Sequence, residues 1–338
     1  MQDLIYRIRE VAKKWQDPDY SLRVESVQET LEQSKFLTEE SIAFALNRVM
    51  RDMLSAPLED WVGRGNQEIR VGDWLEHLSL REAFAHLLKV WLTGEQWIGR
   101  QETLWLPVLR GFAKEVQAEL DAYAEPEFWE HVSALVARVP ADECPPISQQ
   151  AKQYAVPEDH QYIVPLRYGV AWATGNESDE AWSALAEDML LFEGRMPENV
   201  RLLWVPQGMS PDRLLDIMAQ FREVFPPAEG TEGALAMPRA FLESADTPRA
   251  YGPGFLLSKG APEWTTPGHI RWVEYQDPEE VEQWLKAHVR EIYHVAVPSE
   301  SEVKVPEQVR AIPWGEAHRR PLGEEPPGEN LLAFLRRL

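Results

Sequence analysis

The chain has 338 residues, with 34 Lys and Arg against 56 Asp and Glu, a formal net charge of −22. A charge this negative repels phosphate backbones and anionic lipid, which argues against nucleic acid as a partner. Hydrophobic residues at 44% and charged residues at 27% are ordinary globular proportions, which exclude disorder along the whole chain, and no apolar run reaches the roughly 20 residues a membrane span needs.

The N-terminus, Met1 to Arg7, lacks a basic stretch leading into an apolar one. A secretory leader is therefore not expected, and the cytoplasm is the default compartment. Residues 2–60 read as helical, with Thr38 capping a helix that carries Glu39 and Glu40 in its first turn and Ile42, Leu46, Val49, Met50 and Met53 at helical spacing. A strand is expected over 68–75 and a helix over 80–92, closed by Thr93-Gly94 in a C-cap position. Residues 104–124 read as one helix that Glu125-Pro126 breaks, and 128–139 fit either a helix end or a buried strand. The Pro-rich stretch 140–167 is the expected connection between domains.

Beyond it the pattern sharpens. Tyr168 to Ala173 and Val200 to Val205 are apolar strands. Ser178 caps the helix between them, with Trp182, Leu185, Ala186, Met189 and Leu190 on one face. Pro211 starts a helix running to about Val224, and 226–248 read as loop. Strand, helix and strand follow over 269–275, 278–290 and 292–297, and a short helix closes the chain. Strands alternating with helices imply an α/β fold with parallel sheets.

The familiar chemical signatures are missing. There is no Walker A sequence, no G-x-G-x-x-G, no G-x-S-x-G and no H-E-x-x-H. The eight histidines show no ligand spacing, so no metal site is expected. The single cysteine, Cys144, follows Asp142 and Glu143. Acidic neighbours suppress the thiolate, so an inert thiol is expected. Of the fourteen tryptophans, Trp74, Trp91, Trp105, Trp129, Trp182 and Trp284 fall at apolar helix or strand positions and read as core.

The block from Tyr168 to Pro206 resembles the fatty acyl-CoA reductases of bacterial bioluminescence operons (the LuxC type), which belong to the aldehyde dehydrogenase superfamily. The resemblance is carried by Thr174-Gly175-Asn176-Glu177-Ser178, Ala186-Glu187-Asp188, the turn Phe192 to Val200, and Val205-Pro206. Weaker echoes follow in order at Phe36 to Glu40, Val90 to Gly94, Leu106-Pro107, Gly254 to Leu257, Val273 to Tyr275 and Ile312 to Ala317. The resemblance implies an aldehyde-dehydrogenase-like α/β protein with two Rossmann-type lobes. A helical N-terminal segment would span 1–62, a nucleotide-binding-type lobe 63–167, a catalytic-type lobe 168–300, and a tail suited to oligomerisation 301–338.

The departures from the family decide the function expected. Its chemistry needs a cysteine in the turn before the Val200 strand, where a thiolate captures the acyl group and hydride from NADPH releases aldehyde. Here that place is Met196 or Pro197, with Asn199 close by as a further catalytic candidate. The cofactor loop after the first strand would be His77-Leu78-Ser79-Leu80, without the glycine that close backbone approach favours. Thr174 and Gly175 are the other cofactor-binding candidates. The expectation is a protein of this superfamily without catalysis and without a cofactor. It would retain a binding role toward acyl-CoA, another acyl thioester or a protein partner, as a homodimer or paired with an active relative. The alternatives are an NADP(H)-dependent acyl-CoA reductase working without the cysteine, and a scaffold with no ligand.

Overall fold

A computed structural model describes residues 1–63, 65, 68–75, 78–299 and 303–338. The chain opens with three helices, α1 (Gln2–Lys14), α2 (Ser21–Gln33) and α3 (Glu39–Ser55). Ser41 N–H donates to Thr38 Oγ1 at 3.2 Å, so Thr38 caps α3 as its sequence suggests. Alternation then begins with β1 (Arg70–Leu75), α4 (Leu80–Thr93), β2 (Gln96–Arg100), α5 (Leu106–Val116), β3 (Asp121–Tyr123), α6 (Glu127–His131), β4 (Ala134–Val139), α7 (Cys144–Gln153) and β5 (Gln161–Pro165). A second series follows: β6 (Tyr168–Trp172), α8 (Asp179–Leu190), β7 (Val200–Pro206), α9 (Asp212–Val224), α10 (Thr231–Ser244), β8 (Arg249–Gly252), β9 (Phe255–Lys259), β10 (His269–Tyr275), α11 (Pro278–Ala287), β11 (Ile292–Val297) and β12 (Ala311–Pro313), with α12 (Leu331–Leu335) last.

The fold is α/β with parallel sheets, divided into two compact units. One comprises Met1–Ser34, Ile42–Leu166 and Pro321–Leu338; the other comprises Lys35–Ser41 and Arg167–Arg320. The first unit holds a five-stranded sheet of order β3-β2-β1-β4-β5, parallel throughout. The second holds a seven-stranded sheet of order β12-β11-β6-β7-β10-β9-β8, in which only the β8–β9 pair is antiparallel.

Continuous apolar strands are what a sheet covered on both faces requires. On β7, Leu203 and Val205 pack with Trp182, Leu185 and Met189 of α8 and Leu214 of α9. The alternate residues Leu202 and Trp204 join Val281 and Leu285 of α11 on the other face. The two-residue side-chain period of a strand thus feeds two cores. In the first unit α4 is buried along nearly its whole length and ends at Gly94, whose φ of 98° is left-handed. A Cβ on Gly94 would stand 2.7 Å from the Gly65 Cα, so both backbone conformation and close approach require glycine there.

Three sequence expectations fail for tertiary reasons. The Pro-rich stretch 140–167 is no linker, since it carries α7 and β5, and β5 pairs with β4 at the sheet edge. The helix expected over 104–124 stops at Val116, where Gln117 turns left-handed, and its remainder contributes β3. Residues 226–248 are not mainly loop; α10 occupies most of them. Only Thr231, Leu235 and Leu242 of that helix are buried, too sparse a stripe to stand out in the sequence. Among the described residues no helix is long and apolar enough to cross a membrane.

Candidate functional site

The turn in which the resemblance places the nucleophile joins α8 to β7. Phe192, Glu193 and Gly194 are successively left-handed, with φ of 56°, 59° and 66°. Two non-glycine residues in that region cost on the order of 1–2 kcal/mol each, so something must hold them. Glu193 is buried and bidentate with Arg222 of α9, at 3.0 and 3.1 Å. Its Oε2 also accepts from Thr231 Oγ1 at 2.7 Å. Burial pushes the Glu193 carboxyl up while Arg222 pulls it down.

Asn199 ties the other end of the turn. Its Oδ1 accepts from the Met196 N–H at 2.9 Å, and its Nδ2 donates to the carbonyls of Asp188 at 3.0 Å and Leu191 at 2.9 Å. The side chain is fully buried, and His318 Nε2 lies 3.1 Å from the same nitrogen. Asp188 in turn accepts the N–H groups of Gly315 at 2.7 Å and Ala317 at 3.1 Å, and burial pushes its carboxyl up to about 8. Glu198 faces Arg320 at 3.8 Å, both enclosed. Between these ties lie Met196 and Pro197, both buried. The sequence marked Asn199 as a catalytic candidate; here both ends of its amide are occupied by backbone groups.

Thr174 and Gly175 stand elsewhere. Glu177 folds back on the end of β6, and its carboxylate accepts from the Thr174 N–H, the Thr174 hydroxyl at 2.7 Å and the Gly175 N–H at 3.0 Å. Gly175 takes a φ of 97° to present that N–H. The donors a phosphate would use are thereby engaged by the chain's own acid. Because β6 and β7 are parallel, with Gly169 opposite Val200 and Trp172 opposite Trp204, Thr174 lies at the far end of the strands from the Met196 turn. Five residues at about 3.3 Å each put the two roughly 16 Å apart. The structure does not bring these two sets of candidates together.

In the first unit the strand order reverses between β1 and β4, and open α/β sheets hold ligands outside the carboxyl ends at such a point. His77 lies outside the described residues. Leu78 is buried, and its carbonyl accepts from Trp105 Nε1 at 2.7 Å. Ser79 caps α4, accepting from the Glu82 N–H at 3.3 Å, and Leu80 is core. A cavity of about 40 Å³ lies between α4, β4 and β5, lined by Arg81, Lys89, Arg138 and Tyr162 and by Gly323 to Leu331. That holds water but no nucleotide. Among the described residues of the two candidate cofactor regions, the Thr174 and Gly175 donors are engaged by Glu177, and Leu78 and Leu80 are buried. The role of 323–331 here was not legible in the sequence; the alternation of Glu with Pro and Gly before an apolar Leu-Leu-Ala-Phe-Leu was its one signal.

Cys144 begins α7 in the first unit, its Sγ 3.6 Å from the Pro140 carbonyl. Burial first, then Asp142, pushes the thiol up, which disfavours the thiolate. Among the described residues no group of His, Cys, Asp and Glu side chains is placed to hold a metal ion.

No protein-family model and no curated protein matches the sequence. Solved structures do match the fold. An NAD-dependent benzaldehyde dehydrogenase of Corynebacterium glutamicum superposes with a TM-score of 0.61 at 13% identity, covering 88% of this chain and 76% of that one. An NAD-dependent aldehyde dehydrogenase of Sinorhizobium meliloti gives 0.64 at 10% identity, covering 91% and 74%. The indole-3-acetaldehyde dehydrogenase AldA of P. syringae, solved as a cysteine-to-alanine mutant with NAD+, gives 0.63 at 12% identity, covering 92% and 76%. The chain therefore has an aldehyde dehydrogenase fold, and likeness at this identity speaks to the fold alone.

Proposed function

We propose that this chain is a non-catalytic protein of the aldehyde dehydrogenase fold, of the acyl-CoA reductase type, that keeps a binding role. The observation that carries the reading is the turn before β7. Reducing a thioester to an aldehyde through an acyl-enzyme takes a nucleophile within reach of the carbonyl. Here the place is held by Met196 and Pro197, buried within a backbone that Asn199 and Glu193 fix from both ends. Neither side chain forms a covalent acyl intermediate. Direct hydride transfer without capture would still need a positioned nicotinamide, and at the end of β6 the Thr174 and Gly175 donors are already engaged by Glu177.

The acyl-CoA reductase assignment rests on the ordered motifs from Thr174 to Pro206 and the echoes on either side. The retained role we infer is attachment to an acyl thioester or to an active relative of the same fold. The test combines long-chain acyl-CoA, NADPH and the unmodified protein, and follows both aldehyde and free CoA. The reading predicts neither product above the protein-free rate. Sustained aldehyde formation would overturn it. Calorimetric titration with acyl-CoA alone then separates thioester binding from a purely protein partner.

A further inference from the structure

Three cations line the cavity between α4, β4, β5 and residues 323–331, and each is at most 8% exposed: Arg81, Lys89 and Arg138. Enclosing so many positive charges is costly unless each is paired. Glu82 supplies part of the pairing, 3.8 Å from Arg81 and 4.0 Å from Arg138. Further partners come from the last residues of the chain. Lys89 is paired with Glu325, and its Nζ donates to the Gly323 carbonyl at 3.2 Å. Arg138 donates to Glu329 at 2.6 Å. Arg81 donates to the Glu324 carbonyl at 3.2 Å. Burial pulls the Lys89 ammonium down, and Glu325 is the first group that opposes this.

Residues 321–330 form no helix or strand. They carry Pro321, Gly323, Pro326, Pro327 and Gly328, and they meet the crevice through side chains and single carbonyls. The anchor lies downstream, where Leu331, Phe334 and Leu335 are buried. Within the segment Leu322 is buried as well, and Glu325 accepts from the Leu331 N–H at 2.8 Å at the start of α12, so releasing the segment would also uncover Leu322 and free that end of α12.

We infer that Pro321–Glu329 is a built-in strap whose Glu325 and Glu329 carboxylates occupy a phosphate-type anion site formed by Lys89 and Arg138, with Arg81 beside it held by the Glu324 carbonyl. The inference rests on the non-catalytic reading. Two carboxylates at the positions of Glu325 and Glu329 present the charge that a diphosphate would present, so a diphosphate competes with the strap rather than adding to it.

The probe is inorganic pyrophosphate, added to the unmodified protein and to a Glu325→Gln, Glu329→Gln double variant, with sodium chloride at matched ionic strength as control. The variant is expected to melt below the unmodified protein in chloride. It should then recover at least half of that loss, saturably, in about 10 mM pyrophosphate, while the unmodified protein responds at least about tenfold more weakly. A folded variant that gains no more from pyrophosphate than the unmodified protein does would overturn the strap. If the variant does not fold, hydrogen exchange on the unmodified protein decides. Amides over 322–331 should lose protection in pyrophosphate but not in chloride, and unchanged protection there contradicts the inference. Reduction of acyl-CoA by the unmodified protein would sink the non-catalytic reading instead, through a separate readout.

Discussion

Replacing Asn199 with alanine would leave two carbonyls and one N–H in a sealed turn without their partner. Each buried group left unpaired costs about 1–3 kcal/mol. Asn199→Ala should therefore destabilise by about 3 kcal/mol or more, a loss read from urea unfolding midpoints. His294 is the second residue with a measurable signature. It is fully buried on β11, and neither ring nitrogen has a hydrogen-bond partner among the described residues. Burial, with Arg320, His318 and Arg310 around it, holds it well below the ordinary histidine range. His269 is likewise lowered to about 4, by burial first and then by Arg271. A histidine kept neutral in the folded state contributes stability that is present above its unfolded value near pH 6.5 and is lost as pH falls toward the folded value. Each such group adds about 1.4 kcal/mol per pH unit to the acid-side slope. His294→Phe should remove one such contribution and leave that of His269. Urea midpoints at about pH 5 and pH 7 should then differ less in the variant than in the unmodified protein, and an unchanged slope would contradict the assignment.

Helix ends are the elements whose physics was visible in the residues alone. Asp277 accepts from the Glu279 N–H at 2.9 Å while Glu280 reaches back to the Asp277 N–H at 3.3 Å, a reciprocal cap at the start of α11. Asp277→Ala should cost about 1 kcal/mol in unfolding free energy. Gly94→Ala should cost more, because it adds a Cβ both to a left-handed residue and to a backbone contact with Gly65. Ser178, Thr38 and Gly94 were readable for the same reason: a cap needs only its own few residues. The strands over 168–172, 200–206, 269–275 and 292–297 were readable because each is rich in apolar and aromatic residues and mostly buried. What stayed hidden depends on distant partners. β5 has no fully buried residue of its own and exists through pairing with β4. Asn199 looks like any polar residue until the left-handed run at Phe192–Gly194 brings the Asp188 and Leu191 carbonyls to it. The partners of Lys89 lie more than 230 residues along the chain.

Across the molecule one pattern recurs, with the chain's own carboxylates engaging clustered donors and buried cations. Glu177 takes the donors at the end of β6, and Glu325 and Glu329 pair with Lys89 and Arg138 in the first unit. The turn before β7 is closed in a different way, by a knot of side chains around Met196 and Pro197. Restoring one missing atom should therefore not restore chemistry. Met196→Cys and Pro197→Cys variants should release no stoichiometric CoA from long-chain acyl-CoA, and a burst of free CoA from either would show that the turn still admits a substrate carbonyl. The most direct measurement is an equilibrium titration of the unmodified protein with NADPH, followed by energy transfer from its fourteen tryptophans to the nicotinamide. No saturable transfer up to about millimolar cofactor is the result expected of a crevice already filled. Saturation in the micromolar range, joined by aldehyde release on adding acyl-CoA, would mean that the strap opens unaided and that the protein is a working reductase.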